Sequence, residues 1–430
     1  MHGRRKQKVH VVTMGCAKNV VDSERLMAQL NLSDIEITSR IEDADVAVIN
    51  TCGFIGAAKE QSIDAIIETV RHKSRGSLKK VYAMGCLTER YREELAADIP
   101  ELDGVFGSNQ LSAVARTLGA EFRHELLGER VLTTPSHFAY LKISEGCDNP
   151  CSFCAIPLMR GKHVSRPTEA LITETQLLSA KGVKEVVIIG QDTTYYGMDL
   201  YGRRTLADLL RRVADVPGIE WVRLMYAYPT RFPQGVLDVI ADHPRLCKYL
   251  DIPVQHASDR VLRSMRRGIT RRAMEELINR IRDRVPGVAI RSTLIVGYPN
   301  ETVEDFDTLL DFVEKVRFER LGVFTYSQEE GTTAFPLGDL VPQREKERRL
   351  ATVMALQQEI SRQNNELQVH TRKRVLIDRV DNDRFVGRTQ HDAPEIDNEV
   401  VVSSKYPLAP GTFHDVEIVD AVEYDLFARA

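Results

Sequence analysis

Residues 139–154 read A-Y-L-K-I-S-E-G-C-D-N-P-C-S-F-C. An apolar, strand-like run gives way to three cysteines, Cys147, Cys151 and Cys154, at C-x3-C-x2-C spacing. Gly146 and Asn149-Pro150 supply the turns that let three sulfurs converge. An iron–sulfur cubane normally takes four cysteine thiolates. Three on one tight loop can hold three irons and leave the fourth to something other than protein, which suits catalysis better than storage. Zinc is the competing reading. It wants a fourth nearby Cys or His, and His163, nine residues past Cys154, could serve.

The surroundings of the loop set the architecture. Strand candidates recur at 139–144, 185–190, 221–226, 249–254, 289–297 and 321–326, with helical stretches between them such as 168–181, 205–215, 271–284 and 302–316. Six βα units in succession predict an open, partial α/β barrel, whose active site belongs at the C-terminal ends of the strands. The cysteine loop follows the first strand. Upstream, apolar runs at 9–14, 46–51, 80–84 and 104–107 alternate with helical patterns near 19–30, 57–70, 89–97 and 111–118. That alternation predicts a doubly wound parallel sheet. Downstream, the charged stretch 343–368 reads as a connecting helix. Residues 372–429 break into short strands at turns such as Asp381-Asn382-Asp383 and Pro410-Gly411, the pattern of a small antiparallel β-barrel. The expected fold class is α/β, divided at 1–125, 133–342, 343–368 and 369–430.

Composition narrows the class. Of 430 residues, 43% are hydrophobic and 28% charged, ordinary for a soluble globular protein. No apolar run approaches the roughly 18 residues of a membrane helix. The basic start, Arg4, Arg5, Lys6 and Lys8, leads into a strand-like segment rather than a signal core and reads as a solvated tail. The expected compartment is the cytosol. Seven cysteines make a poor disulfide framework for a chain this long, so metal binding or catalysis is the expectation for them. Cys247 has no Cys or His partner at metal spacing and reads as a buried structural residue. The net charge of −4 gives no global argument for nucleic-acid binding.

A second constellation lies upstream. Cys16, Cys52 and Cys86 stand in M-G-C-A-K-N, N-T-C-G-F-I and M-G-C-L-T-E, each just after one of the first three strand candidates. Strand ends of an open parallel sheet face one crevice, so residues far apart in sequence are expected to meet there. Three buried structural cysteines are the alternative. Glycine adjoins each of the three, which favours close approach of backbone to a ligand and hence a second three-cysteine cluster.

The loop resembles the signature of the radical S-adenosylmethionine enzymes. The resemblance implies that the open iron binds the amino and carboxylate groups of S-adenosylmethionine, with Phe153 beside the adenine. It also implies that Gln191, in Gly190-Gln191-Asp192, meets the methionine part, and that the run T-L-I-V-G-Y-P-N-E-T (293–302) holds the adenosine. Gln255 and Arg291 are further expected polar contacts at that rim. With M-G-C-A-K-N-V-V-D-S-E-R and I-N-T-C-G-F-I upstream, the whole chain resembles the methylthiotransferases, which end in a small barrel called the TRAM domain. That resemblance implies two 4Fe-4S clusters, the upstream one carrying the sulfur to be transferred, with S-adenosylmethionine as cofactor. An electron donor protein and a sulfur source are the implied partners.

The family has two branches, one acting on an adenosine of transfer RNA and one on the β-carbon of an aspartate in a small-subunit ribosomal protein, expected to be small-subunit protein twelve. Residues 366–430 hold 13 acidic and 8 basic residues, net −5. A barrel gripping RNA should be basic, whereas an acidic one suits a basic ribosomal protein. Direct nucleic-acid binding is therefore not favoured. The string D-A-P-E-I-D (392–397) resembles the ribosomal-protein branch and nominates Asp392, Glu395 and Asp397 as substrate-recruiting acids. A non-catalytic iron–sulfur sensor is the reading from another class; it predicts clusters without cleavage of S-adenosylmethionine. The sequence singles out no acid–base pair.

Overall fold

Valine, isoleucine and alanine dominate the first strands because both faces of their sheet are covered. The five are β1 (Lys8–Thr13), β2 (Glu36–Ile37), β3 (Val46–Thr51), β4 (Lys80–Gly85) and β5 (Gly104–Val105). They pair in parallel in the order β2-β1-β3-β4-β5. Every residue of β3 is buried, as a central parallel strand requires. In the computed structural model, which describes residues 6–123 and 128–430, β5 is shorter than the expected 104–107 run. The helical pattern at 89–97 is two helices, Cys86–Arg90 and Arg92–Asp98, which meet at Tyr91. Arg4 and Arg5 of the basic start lie outside the described residues. Lys6 pairs with Asp34, and Lys8 with Glu36 at 3.2 Å.

The middle of the chain builds β6 (Phe138–Lys142), β7 (Ser144–Glu145), β8 (Val164–Ser165), β9 (Glu185–Ile189), β10 (Trp221–Leu224), β11 (Leu246–Asp251), β12 (Ala289–Val296) and β13 (Arg320–Thr325). β7 and β8 form a short antiparallel ribbon that brackets the cysteine loop. The other six run parallel in the order β6-β9-β10-β11-β12-β13, so β6 and β13 are the edges of an open barrel. Helices cover the outside. In Leu206–Ala214, Leu206, Leu209, Leu210 and Val213 follow the i, i+3, i+4, i+7 stripe and each is at most 1% exposed. Each such side chain contributes about 1.5–3 kcal/mol by leaving water. Helix Val303–Val316 starts at a capping box between Thr302 and Asp305. Among the described residues no helix is long and apolar enough to cross a membrane.

Helix Gln343–Glu366 leads to β14 (Arg372–Asp381), β15 (Arg384–Arg388), β16 (Glu399–Ser403), β17 (Phe413–Ala421) and β18 (Asp425–Arg429). They close into a barrel in the order β14-β15-β16-β18-β17, with β16 and β18 parallel and the other pairings antiparallel.

Both ends of the chain plug the inside of the open barrel. Inward-facing Phe138, Tyr140, Val187, Trp221 and Tyr249 form one core with Val21 from helix Ala17–Asn31 and with Leu376, Ala393 and Phe413 from the C-terminal barrel. Trp221 and Phe413 meet edge to face at 4.8 Å. The segment carrying D-A-P-E-I-D fills this seam, so Asp392 and Asp397, expected to recruit substrate, are engaged inside the protein instead. Asp392 is buried against Arg320, with Nε 3.1 Å from Oδ1. Asp397 accepts the Tyr249 hydroxyl at 2.7 Å and lies 3.4 Å from Arg291 Nε. Glu395 is exposed, but its carboxylate accepts the Tyr140 hydroxyl at 2.7 Å. A count of acids cannot see that Arg291 on β12 and Arg320 on β13 pair with Asp397 and Asp392. Removing one partner of such a buried pair costs about 3–5 kcal/mol.

Candidate active site between two three-cysteine sets

β1, β3 and β4 are neighbours, so Cys16, Cys52 and Cys86 stand at adjacent strand ends. Cys16 and Cys52 flank the point where strand order reverses, the usual ligand crevice of such sheets. Asn19 ties the loops together: its Nδ2 donates to Met14 O at 2.8 Å and to Thr51 O at 3.0 Å. Gly53 allows the Cys52 and Cys86 segments to touch backbone to backbone, because a Cβ there would lie 2.7 Å from Leu87 Cα. Burial pushes the Cys86 thiol up to about 11 against the pull of Arg160, with repulsion from Cys16 and Cys52 adding to the rise. Burial also raises Cys52.

The second set is local. Gly146 holds φ +75°, and a Cβ on it would lie 2.0 Å from Lys162 O, so only glycine fits this turn. The Cys147 N–H donates to Gly161 O at 3.1 Å. Side-chain donors point at the sulfurs. Asn149 Nδ2 lies 3.4 Å from Cys147 Sγ and 2.8 Å from Asp192 Oδ2. Arg267 Nη1 lies 3.2 Å from Cys151 Sγ, with the Tyr228 hydroxyl 3.6 Å from the same sulfur. Burial pushes Cys147 up to about 11 and Cys154 up to about 12. Burial thus works against the thiolates, while the Asn149 amide at Cys147 and the Arg267 guanidinium beside Cys154 work for them, as a metal would. His163 Nε2 is 3.0 Å from Ser165 Oγ, and its ring lies edge-on to Tyr195. Among the described residues no three His, Cys, Asp or Glu side chains gather closely enough for a single ion; thiolates of a four-iron cube bind separate irons and stand farther apart.

One short helix separates the two sets. Ile156–Arg160 begins just after Cys154, and Ala155, Ile156 and Met159 pack against Cys86. Its last residue, Arg160, donates from Nε to Cys86 Sγ at 3.2 Å, from Nη1 to Asp22 at 2.7 Å and Glu145 at 3.2 Å, and from Nη2 to Asn19 Oδ1. Lys142 bonds Asp22 and also Glu145 (2.6 Å). Lys18 is buried, and its amine sits 2.9 Å from the centre of the Tyr226 ring.

The expected cofactor residues divide. Gln191 donates from Nε2 to Glu145 at 2.8 Å, yet its Oε1 is buried with no partner among the described residues, as are Gln255 Oε1 and Ser144 Oγ. Each unmatched buried polar atom costs about 1–3 kcal/mol. Three of them near the strand ends beside the loop fit a polar ligand such as S-adenosylmethionine. Gln255 takes φ +72° while bonding across to Thr293 and Ile295, so the fold holds it in an unfavourable conformation there. Phe153 packs against Val261, Met265, Tyr298 and Tyr326. Arg291 departs from expectation: Asp251 (3.2 Å) and Asp397 (3.4 Å) flank its guanidinium, which serves the seam with the C-terminal barrel. Cys247 is 2% exposed and pushed up to about 12 by burial. Arg160, Arg267, Asn149, Lys142 and Lys18 carry no metal-like spacing and were missed, although Arg160 and Lys18 each stand close to a cysteine motif.

Family models agree with this layout. The uncharacterized protein family UPF0004 matches residues 8–107, the radical SAM superfamily 141–313 and the TRAM domain 370–430. A ribosomal protein uS12 methylthiotransferase RimO of Cytophaga hutchinsonii is 52% identical over 430 residues, covering 99% of this chain and 98% of its own. The chain belongs to the RimO family. A RimO of Flavobacterium johnsoniae is 50% identical over 429 residues, covering 99% and 98%, and one of Bacteroides fragilis 46% over 429 residues, covering 99% of both. RimO-family membership with a radical SAM domain makes the chain a radical S-adenosylmethionine enzyme. Solved structures extend the likeness in fold alone. TsrM from Kitasatospora setae, a radical S-adenosylmethionine methyltransferase with cobalamin and a 4Fe-4S cluster bound, has a TM-score of 0.56 at 15% identity and covers 77% of each chain. OxsB, a cobalamin-dependent S-adenosylmethionine radical enzyme, scores 0.52 at 13% identity and covers 83% of this chain and 56% of its own.

Proposed function

We propose that this chain attaches a methylthio group to the β-carbon of an aspartate in ribosomal protein uS12. The observation that carries the reading is Arg160, which ends the short helix that begins just after Cys154 and donates to Cys86 Sγ, so that one five-residue helix links the two sets of thiols. The relatives, which are ribosomal protein uS12 methylthiotransferases, supply the substrate. Cys147, Cys151 and Cys154 would hold one 4Fe-4S cluster and Cys16, Cys52 and Cys86 another. S-adenosylmethionine would take the unmatched atoms of Gln191, Gln255 and Ser144, with Phe153 against its adenine. These groups, when bound, supply one-electron chemistry able to remove hydrogen from an unactivated carbon, together with the sulfur that replaces it.

The chain's residues do the rest. Arg267 and Asn149 steady the negative sulfur of the loop, and Arg160 does the same for Cys86. Glu145 fixes the Gln191 amide, and Lys142 and Arg160 fix Glu145. Lys18 is a buried cation with no carboxylate partner among the described residues, and it lies two positions from Cys16. It would hold the substrate carboxylate and leave the β-carbon facing the space between the sets. The parts would divide at 1–125, 133–342, 343–368 and 369–430. The enzyme would work in the cytosol on uS12 or the small subunit, with an electron donor protein and a sulfur source as partners.

Anaerobically loaded protein, reduced with dithionite, is expected to methylthiolate a uS12 loop peptide and leave transfer RNA unchanged. Modification of RNA alone would overturn the reading. Clusters without 5′-deoxyadenosine would favour a sensor.

A further inference from the structure

A groove of about 890 Å³ opens on the flank of the cysteine loop, lined by Pro150 together with Arg231, Arg263, Arg266 and Arg280. No residue of the N-terminal sheet borders it. All four arginines are exposed. Neighbouring arginines on the same side are neutralised: Arg260 by Asp305, Arg271 by Glu275 and Asp311, and Arg284 by Asp238. The four around the groove have no carboxylate partner among the described residues. One acid, Asp259, shares the lining, and its carboxylate accepts the Arg271 backbone N–H at 2.7 Å. Four guanidiniums over a concave, partly apolar surface concentrate positive potential there. Arginine with buried apolar contacts is also what protein interfaces enrich.

The groove is wired to the loop. Ser152 N–H donates to Met265 O at 3.0 Å, and Ser152 Oγ to Ser264 O at 2.8 Å. Between them and the groove, the segment 263–267 turns Arg263 and Arg266 outward and Arg267 inward, onto Cys151 Sγ. Pro150 is both part of the lining and the residue before Cys151. A partner seated here comes within one residue of a loop thiol. Neither Arg160 nor Cys86 is part of the lining, so the groove is distinct from the contact that joins the two cysteine sets. A reductant needs that combination. RNA bound for its phosphates alone would gain nothing from closeness to Cys151.

We propose that this groove docks an acidic one-electron carrier protein, which reduces the metal group held by Cys147, Cys151 and Cys154. The inference rests on the function proposed above. One electron leaves the carrier and one arrives at the group; no bond is made or broken and no proton moves.

The test uses the iron-loaded full chain with a purified flavodoxin as the acidic carrier and an RNA oligonucleotide as the rival probe. Charge reversal by R263E/R266E, and separately by R280E, is compared with K405E on the C-terminal barrel. Calorimetric binding to the carrier is expected to weaken about tenfold in the double variant and less in R280E, to be unchanged in K405E, and to fall with salt in the wild type. Carrier-driven appearance of the reduced loop cluster by electron paramagnetic resonance slows in step, while dithionite-driven cleavage of S-adenosylmethionine is unchanged. Equal carrier affinity in wild type and R263E/R266E overturns the proposal, as does variant-sensitive binding of the RNA in place of the carrier. Dithionite-driven cleavage in the wild type judges the functional reading separately. If it is absent, that reading falls whatever the carrier does.

Discussion

The two sets of thiols are built in opposite ways. Cys147, Cys151 and Cys154 sit on one loop, shaped by a glycine turn and bracketed by the β7–β8 ribbon. Cys16, Cys52 and Cys86 share no loop; they meet because three parallel strands lie side by side. The first set depends on a few backbone angles, the second on the register of a whole sheet. A local site can be read from spacing alone, whereas an assembled one becomes visible only when topology is inferred.

Removing one thiol from each set gives the largest contrast. Cys151→Ala is expected to abolish 5′-deoxyadenosine formation, and with it all product. Cys52→Ala should keep that cleavage and lose only the methylthio product. Iron analysis should fall from about eight to about four per chain in each, so product analysis by mass spectrometry decides the comparison. Loss of cleavage in both variants would mean that the sets are not separable.

The glycines probe the two constructions more gently. Gly146→Ala strains a left-handed turn by about 1–3 kcal/mol, and its new methyl would meet Lys162 O at 2.0 Å. It should deplete loop iron only. Gly53→Ala pushes a methyl toward Leu87 Cα at 2.7 Å and should deplete the upstream site only. Resolved cluster signals in electron paramagnetic resonance spectra check both.

Acid should separate the domains before it damages either site. Burial works to raise the Glu174 carboxyl, but Arg166, Arg25 and Arg130 outweigh it and hold it at about 2. Its folded value is depressed, so its contribution is present above about pH 4.5 and is lost as pH falls toward 2. It amounts to about 3 kcal/mol by linkage. Arg25 lies on helix Ala17–Asn31, so this loss loosens the N-terminal sheet from the barrel. Melting curves between pH 6 and 3 should show the wild type losing stability more steeply than E174Q.

Much of the fold was legible. Strands of the open barrel fall within a residue or two of their apolar runs, except β11. There Leu246 and Cys247 already lie in the sheet, and the expected I-P-V end continues beyond it. β2 was invisible because two residues carry no period. The six cysteines and Gln191 could be nominated because their motifs are short and contiguous. Arg160 could not, since its meaning lies in contacts with Asp22, Asn19 and Cys86 far off in sequence. The acids at 392–397 misled for the same reason: their partners stand on β11, β12 and β13 and on Tyr140. Charge is counted along a chain but neutralised in space.

Helix Ile156–Arg160 has a consequence for how the protein is made. Cys16, Cys52 and Cys86 all leave the ribosome before Arg160 is synthesised, and the loop thiols leave before Tyr228 and Arg267. Each trio therefore exists for a time without a side chain that later bonds one of its sulfurs, Cys86 in the first and Cys151 in the second. The order of synthesis thus delivers the thiols first and their guanidinium donors second.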